Sequence, residues 1–175
     1  MADTKYAQSL IRTINDFPTP GIIFKDVTPM LKDARAFHEI VSAIAEVGSN
    51  ADLIAGIEAR GFILASAVAA TMKKGFVPIR KKGKLPYKTF SESYGLEYGI
   101  DELEIHEDAV TTGERVLLID DVLATGGTLK AAANLVQRTG GVVTGAAVLM
   151  EIAGLNGRQI FTDAFPSVSL TTLFN

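Results

Sequence analysis

The sequence contains no cysteine among its 175 residues. This absence excludes disulfide bonds, thiolate nucleophiles and zinc sites built from cysteine. A long apolar run is also missing, since the stretch without Lys, Arg, Asp or Glu from Gly61 to Met72 is shorter than the ~20 residues that span a bilayer. The first residues lack the basic start and apolar run of a signal peptide. We therefore expect a cytoplasmic protein that does not contact a membrane.

The chain also lacks a strong excess of charge of either sign. Its net charge is −3, from 17 basic and 20 acidic residues, so the total charge indicates no bulk attraction to nucleic acid. Apolar residues make up 47% of the sequence and charged residues 21%, which is typical of a globular protein and not of a disordered one. The length predicts one domain over residues 1–175.

Apolar residues recur at strand and helix spacings that alternate along the chain. This alternation predicts an α/β fold, a single domain with a mostly parallel twisted sheet flanked by helices. The spacing predicts helices over 4–14, 33–47, 61–73 and 128–139. It predicts strands over 52–57, 76–80, 116–120, 142–150 and 168–174. The helix over 61–73 is apolar on nearly all sides, which favours a buried position or a subunit contact.

Two segments break this alternation. Residues 16–29 hold three prolines and a glycine around an apolar patch, which predicts a structured loop without regular elements. Residues 81–100 are polar, aromatic and glycine-containing, with Thr89, Phe90 and Tyr94 suggesting a hairpin. A connection this long inside a compact domain is often a functional lid, and we predict a flexible lid loop here.

The sequence VLLIDDVLATGGT, residues 116–128, predicts a phosphate site at the end of a buried strand. Ligands of open α/β sheets bind at the carboxyl ends of strands. Glycines allow backbone N–H groups to approach an anion closely, and the following helix start adds free N–H groups and partial positive charge. Hydroxyls can donate further bonds to a phosphate. The residues concerned are Ala124, Thr125, Gly126, Gly127 and Thr128.

Asp120 and Asp121 precede this loop and would repel a phosphate, so they need a different partner. Carboxylates there can accept hydrogen bonds from sugar hydroxyls or hold the water shell of Mg²⁺. A phosphorylated sugar with free hydroxyls fits both halves of the motif, and a capped turn without a ligand is the alternative. Other nucleotide motifs fit badly, because the Gly56 to Gly61 spacing of a Walker A loop is followed by Phe62 and Ile63, and no GxGxxG is present.

The motif over 116–128 resembles the phosphoribosyl pyrophosphate (PRPP) motif of the type I phosphoribosyltransferases. FPTPGIIFKDVTP at 17–29, EARGF at 58–62, RKKGKLP at 80–86 and LEYG at 96–99 resemble the adenine-specific branch of that family. The resemblance implies transfer of the 5-phosphoribosyl group from PRPP to adenine, which gives AMP and pyrophosphate in purine salvage. It also implies a base-binding hood over residues 1–32 and a homodimer.

The resemblance assigns roles to single residues. It places the 5′-phosphate on Ala124 to Thr128 and the ribose hydroxyls on Asp120 and Asp121. Adenine would stack on Phe24 and be read by the backbone of Ile23 and Lys25, where the family often has Arg in place of this lysine. Glu97 and Tyr98, brought by the lid, would join Arg60 in catalysis. The pyrophosphate would contact Glu58, Ala59, Arg60, Gly61, Arg80, Lys81 and Lys84.

Positive charge develops on the ribose as pyrophosphate leaves, so the expected reaction needs cations around the leaving group. Mg²⁺ is the expected cofactor, held mainly through PRPP and water without direct protein ligands. Glu97 is a candidate acid or base, the alternative being a solvated loop carboxylate. The RKKGK run could instead be a solvated charge run or a weak nucleic-acid patch. The family also tends to carry a cis peptide, which would fall at Glu58–Ala59.

The sequence also fits two other functions. The first is transfer to a 6-oxopurine, whose oxygen a lysine or another donor would read. The second is a PRPP-binding regulator without catalysis, although such regulators usually add a DNA-binding domain and no helix-turn-helix or basic arm is evident. We expect adenine and PRPP as the small-molecule partners, and no nucleic acid.

Overall fold

The computed structural model describes residues 4–95 and 100–174. The helices in these ranges are α1 Lys5–Ser9, α2 Thr28–Lys32, α3 Ala34–Val47, α4 Arg60–Met72, α5 Gly127–Arg138 and α6 Gly157–Ala164. The first strands are β1 Arg12–Asn15, β2 Ile23–Asp26, β3 Leu53–Ile57, β4 Gly75–Lys81, β5 Thr89–Gly95 and β6 Ile100–His106. The later strands are β7 Arg115–Ile119, β8 Val122–Leu123, β9 Val142–Val148, β10 Met150–Glu151 and β11 Ser169–Thr172.

A seven-stranded sheet in the order β11-β9-β7-β3-β4-β6-β5 forms the centre of the fold. The strands from β11 to β4 pair in parallel, as the alternation of strands and helices predicts. The hairpin β5–β6 extends the sheet beyond β4 by antiparallel pairing. Because β7, β3 and β4 are neighbours and parallel, their carboxyl ends meet at one edge of the sheet.

Two apolar layers cover the two faces of the sheet. Alternate residues of β7 point in opposite directions, so Leu117 and Ile119 join the layer of α3 and α4. Val116 and Leu118 join the layer that contains the buried residues of α5 and α6. The predicted mostly parallel sheet with helices on both faces is confirmed.

The predicted helix after Asp33 shows how local signals fix an element. Asp33 caps α3, because its carboxylate accepts a hydrogen bond of 2.9 Å from the backbone N–H of Ala36. The apolar stripe of this helix, with Ile40 and Ile44 fully buried, packs against the sheet layer that contains α4.

The prediction of one helix over residues 4–14 is wrong in its second half. The helix ends at Ser9, and residues from Arg12 onward form β1, which pairs with β2 in a separate two-stranded sheet. The predicted irregular loop over 16–29 is therefore also wrong in part, since it contains β2 and the start of α2. The pairing of Ile14 with Phe24 across the hairpin outweighs the helical spacing of Tyr6, Leu10 and Ile14.

The hairpin suggested within residues 81–100 is confirmed, with β5 as its first strand and β6 continuing to His106. The segment 96–99 between these strands lies outside the described residues. No helix in the described ranges is long and apolar enough to cross a membrane.

Candidate active site

The predicted site residues converge at the edge of the sheet where β3, β4 and β7 end. Glu58 and Ala59 follow β3, Asp120 and Asp121 follow β7, and Lys81 closes β4. The peptide bond between Glu58 and Ala59 is cis, which confirms that prediction. Acidic and basic groups that are far apart in the sequence therefore share one edge, where open α/β sheets bind ligands.

The predicted phosphate loop connects β8 to α5. Gly126 adopts a left-handed conformation with φ of 81° and stands immediately before the first residue of α5. A helix start leaves backbone N–H groups without partners inside the helix, and these can point toward an anion. β8 holds the loop by pairing with β10, with Val122 opposite Met150. A groove of about 460 Å³ opens beside the loop between Thr125, Gly127 and Tyr94.

Gly157, the first residue of α6, packs closely against the backbone of the predicted phosphate loop. A Cβ atom on Gly157 would lie only 2.1 Å from the carbonyl oxygen of Ala124. A Cβ on Gly126 would in turn lie 2.5 Å from the carbonyl oxygen of Gly157. The two backbones can approach this closely because both positions are glycine. Gly157 carries no signal in the sequence, because it is distant from the loop along the chain and α6 itself is not predicted.

The two carboxylates differ in their surroundings. Asp120 packs closely against the start of α4, because a Cβ on Gly61 would lie only 3.1 Å from Asp120 Oδ1. Asp121 is 5% exposed, and its Oδ2 has no hydrogen-bond donor among the described residues. Burial raises the pKa of both groups, and the charge of Asp121 adds to the rise at Asp120. A buried carboxylate oxygen without a donor is a position that a hydroxyl or a water can satisfy.

Arg60 lies between the carboxylates predicted to bind ribose and the Phe24 ring predicted to stack on the base. Its Nε lies 2.8 Å from Asp121 Oδ2, an ion pair that does not have hydrogen-bond geometry. The charge of Arg60 opposes the effect of burial on the pKa of Asp121. Its guanidinium carbon also lies 5.1 Å from the centre of the Phe24 ring. The Phe24 ring further meets Phe17 edge to face at 5.2 Å.

The β1–β2 hairpin positions Phe24 and its neighbours. Arg12 closes the open end of the hairpin with two bonds to Asp26, at 3.0 and 2.6 Å. The backbone bond from Thr28 and the bonds from Arg12 lower the pKa of Asp26 to about 2. Ile23 is exposed and lies next to Phe24 on this strand.

Lys25 lies on the opposite face of β2 from Phe24. Successive side chains of a strand point to opposite faces. The ammonium of Lys25 donates to the Thr13 hydroxyl at 2.9 Å, across the hairpin. Lys25 also lines a cavity of about 330 Å³ with Gln8, Ile11 and Met150. Its side chain therefore does not reach the face that carries Phe24.

The predicted pyrophosphate cations surround one partly buried carboxylate, that of Glu58. It accepts bonds from Lys84 Nζ at 2.6 Å, Arg80 Nε at 3.2 Å and the backbone N–H of Lys81 at 3.0 Å. Burial would raise the pKa of Glu58, but these donors outweigh it and bring the pKa to about 2. Glu58 is therefore ionised and holds Arg80 and Lys84 beside the end of β4.

Lys81 has a different acidic partner. Its ammonium lies 2.9 Å from Asp101 Oδ2 on β6, and the same oxygen accepts a bond of 3.0 Å from the Tyr94 hydroxyl. The sequence indicates Tyr94 only as part of a hairpin and gives no signal for Asp101. Glu97 and Tyr98, the other predicted lid residues, lie outside the described residues.

Comparison with known proteins assigns the chain to a family. The phosphoribosyl transferase domain family matches residues 28–163. An adenine phosphoribosyltransferase of Parafrankia sp. is 58% identical over 151 residues, which cover 85% of this chain and 82% of that protein. The adenine phosphoribosyltransferase structure from Thermoanaerobacter pseudethanolicus has a TM-score of 0.90 and 46% identity, and the match covers 98% of both chains.

A second solved structure adds ligands to this comparison. The adenine phosphoribosyltransferase from Saccharomyces cerevisiae, in complex with an imino-altritol bisphosphate and adenine, has a TM-score of 0.87 and 33% identity. That match covers 97% of this chain and 99% of the yeast chain. The identities and the near-complete coverage confirm the resemblance inferred from the motifs. The chain belongs to the adenine phosphoribosyltransferase family of type I phosphoribosyltransferases.

Proposed function

We propose that the protein transfers the 5-phosphoribosyl group of PRPP to adenine and releases AMP and pyrophosphate. The observation that carries this proposal is the meeting of three features at one sheet edge. They are the glycine loop before α5, the buried Asp121 carboxylate whose Oδ2 accepts no hydrogen bond, and the cations gathered around Glu58. They suit, in this order, a sugar phosphate, sugar hydroxyls and a polyanionic leaving group.

Roles for the individual groups follow from this arrangement. The loop from Ala124 to Thr128 would bind the 5′-phosphate through backbone N–H groups and hydroxyls. Asp120 and Asp121 would accept hydrogen bonds from the ribose hydroxyls. Arg60 lies between the Phe24 ring and Asp121, so binding of ribose and base would require it to turn toward the pyrophosphate. Its charge would then oppose the negative charge that grows on the leaving group.

The cations at the end of β4 would complete the pyrophosphate site. Arg80 and Lys84 would exchange Glu58 for the leaving group, and Lys81 would contribute from the side of Asp101. No covalent intermediate is required, since the base itself displaces pyrophosphate. Residues 81–100 would form a lid that brings Glu97, the predicted acid or base, and its neighbour Tyr98 to the site. Residues 1–32 would form the hood over the base.

Specificity for adenine is supported by the position of Lys25. A 6-oxopurine would need a donor at its oxygen, and the ammonium of Lys25 is on the far side of β2, bound to Thr13. The base stacked on Phe24 would instead meet the backbone of Ile23 and Lys25. A backbone edge presents both a donor and an acceptor, which is the combination that the 6-amino group and ring nitrogen of adenine require.

Magnesium is the proposed cofactor, bound mainly through PRPP and water. Among residues 4–95 and 100–174, no group of three His, Cys, Asp or Glu side chains could hold a metal ion by itself. Once Arg60 turns away, Asp121 Oδ2 would be an oxygen of the kind that accepts from a water of the magnesium shell. When bound, the ion would neutralise charge on the pyrophosphate as it leaves.

A homodimer is the proposed assembly. Ile63 on α4 and Phe76 on β4 are 43% and 37% exposed, and Phe76 meets the Phe62 ring edge to face at 5.7 Å. Exposed apolar side chains on these two neighbouring elements favour a protein contact. The guanidinium of Arg80 lies 6.0 Å from the Phe62 ring, so such a contact would reach the pyrophosphate cations.

One assay tests the proposed function against its alternatives. Purified protein is incubated with PRPP, Mg²⁺ and one base at a time, and the nucleotide formed is measured. We expect AMP from adenine and no nucleotide from hypoxanthine, guanine or xanthine. IMP or GMP would indicate a 6-oxopurine enzyme, and PRPP binding without any product would indicate a regulator.

A further inference from the structure

Tyr94 lines the same groove as the phosphate loop although the two are distant in the sequence. It is the last residue but one of β5 and is 9% exposed. A Cβ atom on Gly127 would lie 3.6 Å from Tyr94 Cδ2 and 3.1 Å from the carbonyl oxygen of Gly95. The end of β5 therefore packs directly against the start of α5, with little room for a larger residue at Gly127.

The hydroxyl of Tyr94 reaches the other side of the site. Tyr94 pairs with Asp101 across the β5–β6 hairpin, and its hydroxyl donates to Asp101 Oδ2 at 3.0 Å. The same oxygen lies 2.9 Å from the ammonium of Lys81. Burial and the Asp101 carboxylate raise the pKa of Tyr94 to about 12, so the hydroxyl keeps its proton at neutral pH. One buried tyrosine thus connects the phosphate loop with a cation on β4.

We propose that Tyr94 is a positioning residue that couples the 5′-phosphate loop to the pyrophosphate cations. Its ring lies beside Gly127 in the groove that the loop lines, and its hydroxyl orients Asp101, which in turn holds Lys81. Occupation of the loop by a phosphate fixes the ring, and the fixed ring keeps Lys81 in place for the leaving group. This inference rests on the proposed function, because it takes the loop and Lys81 as the two ends of the PRPP site.

Coupling of this kind is measured as a change in one ligand's affinity caused by the other. Titration calorimetry with Mg²⁺ present gives the dissociation constant of pyrophosphate with and without saturating ribose 5-phosphate. In the wild-type protein we expect ribose 5-phosphate to tighten pyrophosphate binding by about 5-fold or more, the lower range of typical allosteric couplings. In Tyr94→Phe, which removes only the hydroxyl, this factor should fall to near one while ribose 5-phosphate still binds alone.

A second variant and a control separate coupling from packing. Asp101→Asn removes the negative charge that holds Lys81, at a partly exposed position, so it tests the proposal if Tyr94→Phe does not fold. Tyr87→Phe is the matched control, since Tyr87 is 60% exposed and its ring meets His106. We expect the control to keep the wild-type coupling factor and Asp101→Asn to lose it.

The outcomes distinguish this proposal from the proposed function. A wild-type coupling factor of one, or an unchanged factor in Tyr94→Phe and Asp101→Asn, would overturn the coupling. Weaker binding of both ligands with an unchanged factor would also overturn it, because that is the result of packing alone. The titrations use neither adenine nor turnover, so the coupling can hold even if the base assay rejects adenine. Wild-type protein that binds neither ligand would overturn both.

Discussion

Substitution of Gly157 by alanine tests whether α6 supports the phosphate loop. The new Cβ would lie 2.1 Å from the carbonyl oxygen of Ala124, whereas contacts between carbon and oxygen are normally about 3.3 Å or longer. The loop or the helix must therefore move by roughly 1 Å, and overpacking of this kind costs roughly 1–3 kcal/mol of stability. A displacement of about 1 Å at a binding site can reduce the rate about 100-fold. We expect a loss of this order in kcat/KM for PRPP.

The assay compares Gly157→Ala with Gly154→Ala by urea unfolding and by initial rates at varied PRPP. Gly154 has φ of 86°, and a Cβ added there would have no atom within 4 Å, so alanine strains the backbone without a clash. That strain costs roughly 1–2 kcal/mol, which is comparable to the expected loss of stability in Gly157→Ala. The control should keep its kcat/KM for PRPP. If Gly157→Ala loses stability but keeps its kcat/KM, the support of the loop by α6 is refuted.

Four further predictions concern other parts of the molecule. The pKa of Glu58 is lowered from 4.5 to about 2, so its ion pairs stabilise the fold fully above pH 4.5 and lose this effect as the pH falls toward 2. The difference in unfolding free energy between wild type and Glu58→Gln should therefore shrink over that range, and a constant difference would contradict the ion pairing. Phe24→Leu should raise the KM for adenine by roughly 5- to 150-fold, because base stacking contributes about 1–3 kcal/mol. The KM for PRPP should change little. Ile63→Asp should give a monomer in light scattering, while Ile160→Asp, at a similarly exposed isoleucine on α6, should not. Glu97→Gln should lower turnover far more than PRPP binding, and equal losses in both would argue against an acid or base.

Elements with strong local signals can be predicted from the sequence. The strand before Asp120 is apolar at every position after Arg115, and α5 begins within a glycine pair, so the sequence predicts both elements to within one residue. The capping residue Asp33 and the apolar spacing that follows it predict α3. These signals depend only on neighbours in the chain, which is why they need no knowledge of the tertiary structure.

Features that depend on distant contacts cannot be predicted in this way. Residues 12–15 continue the helical spacing of α1, but they pair with β2, whose start lies close to a run of prolines. In the sequence, Gly157 looks like any other glycine. Only the structure shows how closely its backbone approaches the Ala124 carbonyl. The role of Asp101 likewise depends on its contacts with Tyr94 and Lys81, which lie on two other strands.

The charge around the end of β4 explains why a run of basic residues need not bind nucleic acid. Arg80 and Lys84 pair with Glu58, Lys81 with Asp101, and Lys82 with Glu102. The positive charge of RKKGK is thus largely neutralised within the fold. Nucleic acid presents one phosphate per nucleotide, so each phosphate would gain little binding energy from these paired cations. A ligand with several negative charges at one point can compete with these carboxylates. We therefore expect this pairing to favour a concentrated anion such as pyrophosphate over an extended one.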